Sequence, residues 1–140
     1  GSALVLMKES DAKARGLKPL ARIVAHSTHA QLPAEFTIAP IGAVEKVLKK
    51  ADWNKDDVDL YEINEAFAVV SMLAISELGL DADKVNVNGG ACALGHPIGS
   101  SGSRILVTLL YALKNAGKSK GVASLCIGGG EATAIAVEMI

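Results

Sequence analysis

The chain is 140 residues long, 50% hydrophobic and 21% charged, with a formal net charge of −1 and two cysteines, Cys92 and Cys126. That length fits one domain with a real core. The charge is balanced and scattered, which leaves nucleic acid or an anionic membrane nothing to grip, and no uncharged apolar run reaches the ~18 residues of a bilayer span, so neither partner is expected.

In chain order, Ala3–Met7 reads as a short apolar strand, and Ser10–Arg15 as a brief helix with Ser10 as N-cap and Gly16 as its stop. Leu20–Ser27 is β-rich and alternates, with Leu20, Arg22 and Val24 on one side and Ala21, Ile23 and Ala25 on the other. Residues 27–40 read as a polar loop. Ile41–Lys50 sets Val44, Val47 and Leu48 against Glu45, Lys46, Lys49 and Lys50, an amphipathic helix. Asp57–Ile63 forms a second strand, followed by Asn64–Phe67 and an apolar helix to Leu78 that Gly79 closes. Lys84–Asn88 reads as a third strand, and Pro97–Ala116 as a long helix ending at Gly117. Gly121–Ile127 and Ala132–Ile140 finish the chain as two strands. The order βαβαβαββ implies an α/β fold with a mostly parallel sheet. We expect a mixed five-stranded sheet with helices on both faces.

The helix after Pro97 is apolar or small nearly all round, with Arg104 as the one charge between Ile98 and Leu110. A single sheet covers only one side of such a helix. A second layer from outside the chain is therefore expected on the other.

The chemistry centres on residues 89–102, GGACALGHPIGSSG. Five glycines in this stretch mark tight turns or a close approach to the main chain. Pro97 suits the first position of a helix, which puts His96 at its mouth. The positive end of the dipole there disfavours a second positive charge and leaves a neutral imidazole available as a base. Cys126 ends a buried strand, where a thiol is commonly a small hydrophobe. The three glycines after it leave N–H groups facing open space, the makings of an oxyanion site. Asn64 stands where an N-cap would, and Glu65 suits a first helical turn. Yet His96, Cys126 and Asn64 each lie at the carboxyl end of a strand or just beyond it, the edge where open parallel sheets bind ligands. The pairs Cys92/His96 and His26/His29 have metal-like spacing without a CxxC or HExxH pattern, so no metal site is expected. The glycine loop lacks the ending of a P-loop and the dinucleotide fingerprint. The cysteines fit free thiols of a cytoplasmic enzyme better than a disulfide framework.

Asn64-Glu65-Ala66-Phe67, Gly95-His96-Pro97 and Cys126-Ile127-Gly128-Gly129-Gly130, in this order and spacing, make the chain resemble the C-terminal half of a thiolase over essentially its whole length. The likeness is to the short-chain branch of lipid metabolism, which interconverts acetoacetyl-CoA plus CoA and two acetyl-CoA. It implies a layered αβαβα fold of two similar halves, with the Pro97 helix buried between two sheets. Residues 1–18 would then be the end of the first half, and 19–140 the C-terminal domain. It further implies a homodimer or homotetramer, with CoA thioesters as substrates and no separate cofactor. By position, His96 would take the proton of the nucleophilic cysteine. Cys126 would protonate the departing CoA thiolate and remove the α-proton of the second acetyl-CoA. Asn64 would hold a water that forms an oxyanion site with His96, the Gly128 N–H would serve a second, and Ala66 and Phe67 would line the acyl pocket.

The acyl-accepting cysteine of thiolases belongs to the first half, and neither Cys92 nor Cys126 has its context. The 140 residues alone are therefore expected to be inactive. Glu131-Ala132 departs from the methionine or glutamine and the glycine common after the three glycines, which bears on acyl preference and not on the chemistry. Two alternatives stay open: a 3-ketoacyl-CoA thiolase of β-oxidation, and a non-catalytic interaction domain whose glycine loops bind a partner.

Overall fold

A computed structural model describes residues 1–140. Its sheet is built from β1 (Ala21–Ala30), β2 (Leu60–Ile63), β3 (Lys120–Gly128) and β4 (Glu131–Met139), in the spatial order β1-β4-β3-β2. The β1/β4 and β4/β3 pairs are antiparallel and β3/β2 is parallel. Five helices accompany it: α1 (Glu9–Ala14), α2 (Ala39–Ala51), α3 (Ala68–Leu78), α4 (Ala91–Leu94) and α5 (Ser101–Ala116).

Strand alternation decides what each face of the sheet receives. Tyr61 and Ile63 of β2, Val122 of β3 and Ala132, Ala134 and Ala136 of β4 meet Ala43, Val44 and Val47 of α2 and Val70 and Ala74 of α3. The row of alanines is small enough for α2 to lie close to the sheet. On the opposite face, Ile105, Leu109 and Leu113 recur at helical spacing along α5 and pack on Leu60, Ala123 and Val137. Each such side chain stabilises the fold by ~2 kcal/mol through burial. Gly121 admits α5 to this face, since a Cβ there would press on Leu109 and Leu113 at 2.8–2.9 Å. Helices α3 and α5 end at Gly79 and Gly117, both left-handed at φ 58° and 63°.

Several expectations are corrected. The sheet has four strands, and two of its three pairings are antiparallel, so it is mixed without being mostly parallel. The strand expected at Lys84–Asn88 shrinks to one bridge, Val85 against Tyr61. Asn86 breaks it with a left-handed φ of 50°. Its side chain replaces the missing ladder: Oδ1 accepts the Ile63 N–H and Nδ2 donates to the Ile63 carbonyl, each at 2.9 Å. Ala3–Met7 forms no strand; Leu4 instead packs on the α5 cluster and Ser2 hydrogen-bonds Ser100. Helix α1 begins before Ser10, which makes no capping bond. The polar residues 27–30 continue β1, because Ser27 is buried and donates to the Ala43 carbonyl at 2.6 Å while Thr133 of β4 bonds its backbone. Helix α5 starts at Ser101; Pro97–Ser100 forms a separate turn. Tyr111 is exposed on the side of α5 away from the sheet, and Gly102 is exposed in its first turn.

Candidate active site

Asn64 follows β2 directly, and its backbone N–H extends the ladder to the Ser124 carbonyl of β3 at 2.9 Å. It does not cap α3, whose N-cap position is taken by Phe67 without a side-chain bond. The Asn64 side chain, 1% exposed, turns instead toward α5. There Nδ2 lies 3.5 Å from His96 Nε2, and Oδ1 accepts from Arg104 Nη2 at 3.4 Å. His96 arrives at this rim on the loop between α4 and α5. Its Nδ1 meets Ser101 Oγ, which also donates to the Pro97 carbonyl at 3.1 Å. The imidazole is thereby held near the mouth of α5 by its contact with Ser101, although Pro97 stands four residues ahead of the helix and not at its first position.

Behind this pair stands a buried ion pair, Arg104 Nη1 to Glu62 Oε2 at 3.5 Å, with the two side chains 17% and 2% exposed. Neither Glu62 oxygen accepts a hydrogen bond. Burial pushes the Glu62 carboxyl up to about 7, against the pull of Arg104 and with the help of the Glu65 charge. Glu62 on β2 and Asn64 just past its end stand two apart and share the α5 side of the sheet with Leu60.

Glu65 is not in a first turn of α3. Its Oε2 accepts the Cys92 N–H at 3.0 Å and so caps α4, while Oε1 accepts from Asn86 Nδ2 at 3.3 Å. A side chain at Gly90 would push the Glu65 carboxylate out of this position, since it occupies the place of a Cβ.

Cys126 lies on β3 two residues beyond Ser124, at the same carboxyl rim, 8% exposed. Its Sγ makes no hydrogen bond with His96 or Asn64, and by alternation it shares the side of Val122. Burial raises its thiol pKa, opposed by its own backbone, so the thiol keeps its proton near neutrality. Gly128, Gly129 and Gly130 follow with φ of 95°, 64° and 87°. Gly128 pairs with Glu131, so Gly129-Gly130 is a two-residue hairpin loop with positive φ at both positions, the sign pattern of a type I′ turn. Phe67 is 59% exposed and meets Phe36 edge-on at 5.9 Å, with Ala66 half-buried beside it.

The structure thus joins Asn64 to His96 and leaves Cys126 and Gly128 on the same rim without a bond to either. Sequence reasoning missed Glu62, Ser101, Arg104 and Phe36. Arg104 had a signal, as the lone charge on an apolar helix. A base held by a hydroxyl, a carboxamide beside it, a protonated thiol and glycine N–H groups can move protons between sulfur and carbon and hold an oxyanion.

A family model described as "Thiolase, C-terminal domain" matches residues 17–139. The cytosolic acetyl-CoA acetyltransferase of Mus musculus is 54% identical over 137 residues, 98% of this chain and 34% of the mouse protein. The crystal structure of the Bacillus anthracis acetyl-CoA acetyltransferase superposes with a TM-score of 0.93 at 50% identity, over 96% of this chain and 34% of that one. Acat5 thiolase from Ascaris suum, solved in complex with coenzyme A, gives 0.90 at 44% identity, over 95% and 34%. The chain therefore spans about a third of the length of these relatives. No helix is long and apolar enough to cross a membrane. With the family's domain covering nearly every residue described above, the chain belongs to the thiolase family, as its C-terminal domain.

Proposed function

We propose that the chain is the acid/base half of an acetyl-CoA C-acetyltransferase, which interconverts acetoacetyl-CoA plus CoA and two acetyl-CoA. The observation that carries this reading is the His96–Asn64 pair, 3.5 Å apart at the carboxyl rim of the sheet. The cytosolic enzyme of mouse and the coenzyme A complex of the Ascaris thiolase support the substrate class.

In thiolysis, His96 Nε2 takes the proton of a cysteine thiol supplied by the N-terminal thiolase half. The thiolate attacks the keto carbon of acetoacetyl-CoA, and the Gly128 N–H steadies the tetrahedral oxyanion. The bond between the keto carbon and the α-carbon breaks, leaving an acetyl thioester on the cysteine and the enolate of acetyl-CoA. The enolate oxygen is held by His96 and by a water on Asn64, and Cys126 gives the α-carbon its proton. The Cys126 thiolate then takes the proton of the incoming CoA thiol, and the CoA thiolate accepts the acetyl group. The nucleophile leaves as thiolate and recovers its proton from His96. Run backwards, Cys126 protonates the departing CoA thiolate and removes the α-proton of the second acetyl-CoA. A thiol pair exchanges a proton with little energetic mismatch, and a Cys126 kept protonated by burial starts in the required state. Every step uses a thiol, an imidazole or a carbonyl, so the scheme calls for neither a metal nor a cofactor beyond the CoA thioesters.

The N-terminal half packs against the outer side of α5, where Tyr111 stands open. Ala66 and Phe67 line the acyl pocket. The working enzyme is a cytoplasmic homodimer or homotetramer of joined halves. The test is loss of the enolate absorbance of acetoacetyl-CoA in the presence of CoA, for a polypeptide carrying these 140 residues behind a thiolase N-terminal half. Sustained turnover is expected there and none from the 140 residues alone. Turnover by the chain alone refutes the division of labour, and silence of the joined halves refutes the reading.

A further inference from the structure

The polar groups along α5 form bonds whose directions depend on one another. A guanidinium has five N–H groups and no acceptor, so Arg104 only donates. Its Nη2 lies 3.4 Å from Asn64 Oδ1, which turns the carboxamide oxygen toward Arg104 and the NH2 toward His96 Nε2, 3.5 Å away. An NH2 opposite Nε2 requires a lone pair there. A neutral imidazole with a bare Nε2 carries its proton on Nδ1. At the other end, the Pro97 carbonyl only accepts, and it takes the Ser101 hydroxyl proton at 3.1 Å. Ser101 Oγ therefore presents a lone pair to His96 Nδ1 and receives its N–H. The opposite tautomer would set two N–H groups face to face at Asn64 and draw the Ser101 proton away from the Pro97 carbonyl. Both fixed ends, guanidinium and carbonyl, demand one direction throughout. Glu62, 1% exposed, holds Arg104 from behind.

We propose that Ser101 and Arg104, the latter held by Glu62, are positioning residues that lock His96 in its Nδ1-protonated tautomer, with Nε2 bare and opposite the Asn64 amide. Their place in catalysis rests on the thiolase reading above, whereas the polarity follows from the bond directions alone. The lock has a consequence for the reaction. Once Nε2 accepts a proton, Nε2–H and the Asn64 NH2 are two adjacent donors with no acceptor between them, because Arg104 keeps the carboxamide from turning. The proton transfer that frees the nucleophile also turns Nε2 into a donor, so that Nε2–H and the water held by the Asn64 amide both face the enolate oxygen.

The test reads ring nitrogens directly, by nitrogen-15 NMR of the chain labelled at histidine, with the His96 signals identified by their loss in His96→Gln. Neutral wild-type His96 is expected to show a protonated Nδ1 and a bare Nε2, the reverse of the preference of free histidine. Arg104→Met frees the carboxamide to turn, and the Nδ1-protonated form loses ground by roughly five- to tenfold, the worth of one net hydrogen bond. Arg104→Lys, still a donor only, restores the ratio. Ser101→Ala shifts it in the same direction as Arg104→Met and leaves the ion pair untouched. A bare Nδ1 in the wild type overturns the proposal, as does a ratio indifferent to both Arg104→Met and Ser101→Ala. No substrate enters this readout, so an intact tautomer bias beside failed thiolysis counts against the functional reading only, and working thiolysis with the opposite tautomer counts against the lock only.

Discussion

Strand β2 faces two different interiors. Tyr61 and Ile63 point into an apolar layer closed by α2 and α3, whereas Leu60 begins a second layer under α5 that turns polar toward the rim, through Glu62 and then Asn64. The first layer is filled by Val44, Val47, Val70 and Val122 and stabilises chiefly by burial, without a charged group. In the second, apolar packing by Ile105, Leu109 and Leu113 carries the helix, and one ion pair is kept out of water beside it. A buried ion pair is weak support for stability, because desolvation offsets most of the attraction. The difference teaches that β2 is anchored from one side and equipped from the other.

The largest effect should break the equipped side alone. His96→Ala in a polypeptide with both thiolase halves should lower thiolysis by about 10²–10⁴-fold, the range of a lost general base, while thermal melting of the chain stays unchanged. The next should break the anchored side alone. Ile63, 0% exposed, neighbours Asn64 but belongs to the α2/α3 layer. Ile63→Ala should cost about 2–5 kcal/mol in urea unfolding. A melting loss in His96→Ala as large as that in Ile63→Ala would erase the division.

How much of this could be read from sequence follows from what kind of signal each part leaves. His96 and Asn64 were legible because glycine and proline punctuate the elements around them, and the ends of elements converge on one edge. Glu62 and Ser101 were not, since periodicity assigns a residue to a side and is silent on what stands opposite. The strand at Lys84–Asn88 failed because valine propensity is local, whereas Asn86 adopts a turn conformation and satisfies β2 with its side chain. The opposite error fell on residues 27–30, polar in sequence and strand in fact, because β4 supplies them a partner. The covering of α5 is an expectation from its composition, and the only open aromatic on its outer side is Tyr111.

An intermediate effect sharpens the comparison through pH. The Glu62 carboxyl rises from an ordinary 4.5 to about 7 on folding, so the folded chain holds that proton more tightly than the unfolded one. Stability from this group is therefore greatest below about 4.5 and falls as pH rises to about 7, by ~3 kcal/mol in all. Urea midpoints of wild type and Glu62→Gln, which keeps an acceptor for Arg104, should differ in slope across that window, with the variant lacking this fall. Parallel curves would show that Glu62 titrates as an exposed carboxylate does.

The smallest effect probes the hairpin beside Cys126, where both layers end. Gly129 and Gly130 share positive φ, 64° and 87°, so an alanine at either costs about 1–2 kcal/mol from backbone strain. Only Gly130 also faces main chain: a Cβ there would overlap the Gln31 carbonyl oxygen, whereas the space around Gly129 is open. Gly130→Ala should therefore lower the urea midpoint more than Gly129→Ala. The excess measures the close approach of the 31–32 backbone, which Gln31 secures by donating its N–H to the Gly130 carbonyl at 3.0 Å. Equal losses would mean that strain at φ is the whole cost and that the hairpin moves freely away from that segment.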